Sequence, residues 1–99
     1  MENLKLSVAG EAIEVVEKNQ KAYGKPTKTH QRTADLFNAF IKGKYSFGFT
    51  IDAKDVCMFN LLQKVSREAN SEKRDNMVDI IGYAINYDIV QQGESEPWQ

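Results

Sequence analysis

The chain has 99 residues, a net charge of -1, 41% hydrophobic and 27% charged residues, the profile of one ordinary globular domain. That charge supplies no global cationic field, so nucleic acid is an unexpected partner. The single cysteine, Cys57, excludes an internal disulfide; no apolar run is long enough to span a bilayer, and Met1-Glu2 opens no signal-peptide pattern, so the expected location is cytoplasm, without membrane partners.

The first helix is predicted over residues 6–22, where Val8, Ala12, Val15, Val16 and Ala22 form an apolar stripe among Glu11, Glu14, Glu17 and Lys18. Gly24 and Pro26 end it. The second helix is expected over 30–42, capped by Thr27 or Thr29 and stopped by Gly43, with Ala34, Phe37 and Ile41 inward and Leu36 and Phe40 widening that side. Residues 44–51 alternate as a strand does: Tyr45, Phe47, Phe49 and Ile51 share one side. A lone strand has no partner within the chain, so this segment reads as an extended connection, or else as a strand pairing across an oligomer.

Asp52 is a good N-cap, with Asp55 three residues on, for a third helix reaching about residue 70. Its core face is predicted to be Met58, Leu61, Leu62, Val65 and Ala69. Asn70-Ser71 makes the turn, and Ser71 caps a fourth helix over 72–91 that is apolar nearly all round. Such a helix must be covered nearly all round, and one small chain cannot do that alone. The expected fold is all-α: a small four-helix bundle spanning residues 1–92, completed by dimerisation or higher self-association, with 93–99 as a flexible tail carrying Trp98.

Chemistry concentrates on the last two helices. Lys64 and Arg67 lie three apart on one face. They either pair with Asp75 and Asp79 or hold phosphate oxygens, Arg67 as a bidentate fork and Lys64 as a point charge. Arg74, at the start of the fourth helix, can join them there. Asp75 and Asp79 are one turn apart; with Glu68 as a third carboxylate they could hold a divalent cation such as Mg2+, although helix-dipole chemistry alone explains Asp75. Tyr23 and Tyr83 can stack on a base or bond a ribose, or simply pack. His30 reads as a capping or surface residue, and Cys57, among Val56, Met58 and Phe59, as a buried thiol. No zinc set and no strand–glycine–lysine phosphate loop is present.

Taken in order, Ala22-Tyr23-Gly24-Lys25-Pro26, His30-Gln31-Arg32, Asp55-Val56, Lys64-Val65-Ser66-Arg67, Arg74-Asp75-Asn76 and Asp79-Ile80-Ile81-Gly82-Tyr83-Ala84 resemble a family of small phage and prophage proteins of uncertain function. That family is similar to nucleotide-modification-associated proteins and, more distantly, to MazG-like all-α nucleotide pyrophosphohydrolases. The resemblance covers about residues 10 to 90. MazG-like enzymes hold magnesium with E-x-x-E and E-x-x-D carboxylates; here Glu14 and Glu17 stand three apart with no matching E-x-x-D, and Lys64 and Arg67 occupy the third helix. The resemblance implies a helical, oligomeric protein with a nucleotide-related pocket in the host cytoplasm.

Three functions are compatible with these residues. A nucleotide or cyclic-nucleotide binder would sequester a host defence signal through Lys64, Arg67, Arg74, Tyr23 and Tyr83. A Mg2+-dependent nucleoside triphosphate pyrophosphohydrolase would use Glu68, Asp75 and Asp79 as metal ligands. An interaction protein would block a host enzyme through its apolar fourth helix.

Overall fold

The computed structural model describes residues 7–45 and 48–93, and along them the apolar periodicity resolves into four helices. These are α1 (Val8–Tyr23), α2 (Pro26–Lys44), α3 (Ala53–Asn70) and α4 (Arg74–Gln92). No strand occurs among the described residues, so the fold is an all-α small bundle. The segment read as strand or connection is irregular over 48–52, and its Phe47, like Trp98 in the tail, lies outside the described residues. Among the described residues no helix is long and apolar enough to cross a membrane.

Local chemistry sets the helix ends. Ser7 caps α1 by accepting from the Gly10 N–H at 3.2 Å. Gly24, at φ +95°, closes it in the region that glycine alone enters freely. The second helix begins four residues before the expected start. Pro26 takes its first position, where a missing N–H costs nothing and the fixed φ suits the helix, so Thr29 lies inside the first turn and donates to the Lys25 carbonyl. Gly43 does not stop α2, which runs to Lys44. Asp52 and Asp55 form a reciprocal capping box at α3, each carboxylate accepting from the other's backbone N–H at 3.0 Å. Ser71 ends α3 rather than capping α4. The cap of α4 comes from the preceding helix: Glu68 accepts both the Lys73 N–H and the Asn76 side-chain amide at 3.0 Å.

α3 and α4 form an antiparallel hairpin, α1 packs chiefly on α4, and α2 packs on α3 with a smaller contact to α4. α4 is thus the central element, as its nearly all-round apolar sequence requires. Val78 and Ile89 are its most deeply buried side chains, joined by Cys57 from α3 and Ala12 and Val16 from α1. Burial pushes the Cys57 thiol up to about 11, the inert state expected of it.

α2 is only half embedded. Only Pro26 and Ala34 of it are buried, and the returning segment doubles back along it, held where the Asn38 amide both donates to the Ile51 carbonyl and accepts its N–H. Phe37, expected inward, is exposed, as are Leu36 and Phe40, expected to widen that side.

The third helix gives the largest correction. Of its predicted core face, Leu61 is half-buried, while Met58, Leu62, Val65 and Ala69 are exposed. The buried side consists of Ala53, Val56 and Cys57 instead. Two apolar sides exist on one helix, and periodicity cannot say which meets the chain's own core. The radius of gyration is 15.1 Å, against about 13 Å for a compact domain of this length.

Gly82 sits inside α4 with its missing Cβ 3.7 Å from Val16 Cγ2, an ordinary contact distance. Gly82→Ala should therefore stabilise the fold by roughly 0.5–1 kcal/mol, through lower unfolded-state entropy and better helix propensity. Thermal melting should rise by a few degrees; a fall would mean that α1 lies closer to α4 than this distance.

Candidate functional site

Two elements from opposite ends of the chain create the polar groove. Glu11 meets Arg74 and, further along, Val16 meets Gly82, so α1 and α4 lie side by side in the same direction. Between them Val15, Val16, Asn19, Asp79, Gly82, Tyr83 and Asn86 line a small cavity of about 40 Å³. That is room for a water molecule, not for a base. Of its lining groups, the buried Asn86 Oδ1 lacks a hydrogen-bond partner, as does the buried Gln20 Nε2 elsewhere on α1.

The hairpin brings Lys64 of α3 to Asp79 of α4, Nζ to Oδ2 at 2.6 Å, with the side chains 14% and 23% exposed. Antiparallel pairing makes this contact: fifteen residues apart in sequence, the two positions lie level across the turn. Asp79 thus touches two environments, the α3 ammonium and the α1–α4 cavity. Asp79 is half-buried, so its charge is screened less than a surface carboxylate's, and the ion pair compensates it.

The other expected site residues scatter. Arg74 is the first residue of α4 and bonds Glu11 through Nη2 at 3.1 Å and Nε at 3.2 Å, an exposed pair. Arg67, three residues on from Lys64, is exposed and has no ion-pair partner among the described residues. Tyr83 lines the cavity, whereas Tyr23 ends α1, 75% exposed and outside it. Asp75 is exposed in the first turn of α4.

Glu68 belongs to the turn. Hydrogen bonds from the Lys73 N–H and the Asn76 amide hold its carboxyl below the usual carboxylate range. Asn76, buried, also donates to the Ser71 carbonyl and so ties both sides of the turn. Among the described residues no three His, Cys, Asp or Glu side chains are grouped as metal ligands. Glu68, Asp75 and Asp79 are therefore not gathered as a three-carboxylate centre: one is committed to the turn, one faces water, and one to Lys64. His30 is a partly buried residue within α2, its Nδ1 at 3.1 Å from the Pro26 carbonyl, and burial lowers its pKa.

Sequence reasoning missed Glu11, Asn19, Gln20, Asn76 and Asn86. A signal did exist for some of them: Ala12, Val16 and Gln20 repeat every four residues, as do Gly82 and Asn86, so each amide falls on a core-facing row.

No curated protein and no solved structure matches the chain. A family model does, over residues 7–89.

Proposed function

The chain belongs to the family that this model describes, the domain of unknown function DUF6378, and we propose that it binds a nucleotide or cyclic nucleotide without consuming it. The observation that carries this reading is the contrast between two neighbouring cations of α3. Asp79 fixes Lys64 in a half-buried position, while Arg67 stands exposed with no ion-pair partner among the described residues. A guanidinium offers five donors in a fork matched to phosphate, and an ammonium held by one carboxylate keeps two further donors. Tyr83 and the Asn19 and Asn86 amides line the adjoining groove, where base or ribose contacts would form once the groove widens. Arg74 joins as a peripheral cation that exchanges Glu11 for phosphate, and Tyr23 as an exposed ring at the end of α1.

The protein works in this reading as a self-associated unit, because the described residues expose eleven large hydrophobic side chains and bury only four aliphatic ones larger than alanine: Val16, Val56, Val78 and Ile89. The resemblance to small phage proteins adds a role for such binding, the sequestration of a host nucleotide signal in the host cytoplasm.

The test is incubation with linear and cyclic nucleotides and magnesium, followed by filtration and chromatography of the filtrate and of the heat-released protein fraction. A nucleotide depleted from the filtrate and recovered intact on heating is the expected result. Arg67→Ala, with unchanged circular dichroism, should weaken that binding about tenfold to a hundredfold, the worth of a charged hydrogen-bonded contact. Unchanged affinity would remove Arg67 from the site. A chelator-sensitive monophosphate product would replace this reading with metal-dependent hydrolysis, which would require Asp75, Asp79 and Glu68 to leave their present positions and converge. No nucleotide effect, with a host protein co-purifying, would replace it with inhibition through a protein interface.

A further inference from the structure

The third helix presents a second apolar side that nothing among the described residues covers. Its inner side, Ala53, Val56 and Cys57, is buried, with Leu61 half-buried. On the outer side Met58, Leu62, Val65 and Ala69 follow one another at intervals of four, three and four residues. That is the a/d spacing of a helix-packing seam. Met58 is 45% exposed, Leu62 56% and Val65 45%, with Phe59 beside them at 67%.

We infer that a second copy of this chain covers the strip, with the two α3 helices packed antiparallel about a two-fold axis between Leu62 and Val65. Such an axis places Leu62 opposite Val65 of the other copy and Met58 opposite Ala69. Each pair thereby sets a larger side chain against a smaller one, which suits interdigitating packing. The strip contains no charge along its seam, so it fits its own copy better than an acidic or basic partner.

Area supports the same occupant. With a large side chain exposing up to about 200 Å², Met58, Phe59, Leu62 and Val65 present roughly 400 Å² of apolar surface. Two strips face to face remove roughly 800 Å². That is the apolar share of a specific interface of about 1,400 Å², since just over half of such an interface is apolar.

This gives the self-association proposed above its surface, and its test needs no nucleotide. Sedimentation of the full chain should show a dimer, and Leu62→Glu should give a monomer with unchanged helical circular dichroism, since Leu62 lies outside the chain's own core. A second variant keeps the question open to failure by another route. A chain carrying both Leu62→Cys and Val65→Cys should form a disulfide-linked dimer on treatment with diamide, with Cys57, wholly buried, silent. A Leu62→Glu protein that stays dimeric, with no crosslink in the double cysteine variant, overturns the α3 surface while leaving self-association intact. A wild-type chain that sediments as a monomer throughout overturns both, while nucleotide binding itself is read separately by the filtration experiment.

Discussion

Ile89→Ala should remove a large part of the protein's stability. Ile89 is wholly buried near the end of α4, the helix against which the others pack. Removing its outer carbons loses transfer free energy and leaves a cavity, about 2–5 kcal/mol for such a truncation. A domain of this size has only about 5–15 kcal/mol in total, and here the buried set is small: alanines and a cysteine make up half of it. Urea denaturation followed by circular dichroism checks this directly. The midpoint should fall steeply for Ile89→Ala and hardly move for Lys18→Ala on the exposed side of α1. A cost below about 1 kcal/mol for Ile89→Ala would mean that the core lies elsewhere than around α4.

The second large effect concerns the ion pair between Lys64 and Asp79. Lys64→Ala leaves a half-buried carboxylate without its cation. A fully buried charge stranded this way costs about 3–5 kcal/mol; with both side chains partly exposed, about 1–3 kcal/mol is expected here. The double variant Lys64→Met with Asp79→Leu should recover most of that loss, because apolar residues of similar volume replace a buried pair at little cost. Nucleotide retention should be lost in both. This combination separates architecture from chemistry: restored stability with absent binding assigns the pair to the ligand, whereas restored stability with full binding assigns it to the fold alone. Melting temperature and filtrate chromatography on the same three proteins, wild type included, read both quantities.

How far the sequence alone leads can be judged at particular residues. The four helices and the α3–α4 hairpin were legible because they depend on local signals: the Asp52–Asp55 box, Gly24 and the 3.6-residue apolar period. The pairing of Lys64 with an acid on α4 was legible as well, since a tight antiparallel turn fixes which positions face each other. Helix starts were less legible where two signals competed. Pro26 and Thr29 both announce a helix, and Pro26 wins because its ring already has the helical φ. Ser71 reads as a cap, but Glu68 from the preceding helix reaches the Lys73 amide first.

The faces were legible only as patterns. Met58, Leu62 and Val65 have the period of a core, and period carries no information about whose core it is. Arg74 and Glu11 stand 63 residues apart, and no local rule brings them together. The same holds for the α1–α4 groove: its amides, Asn19 and Asn86, look like ordinary polar residues until the two helices are set side by side.

The way α1 is attached has a kinetic consequence. It rests chiefly on α4, through Ala12 and Val16, with the exposed Glu11–Arg74 pair as its outer tie. A unit held by so few buried groups opens separately from the rest of a domain, at a free energy below that of global unfolding. Its amides would then exchange with solvent deuterium as one block, ahead of those in the α3–α4 hairpin. The same excursion uncovers Asp79, Tyr83 and Asn86, whose present enclosure of about 40 Å³ admits nothing larger than water. Ligand entry would accordingly be gated: at high ligand concentration its rate levels off at the frequency with which α1 lifts away.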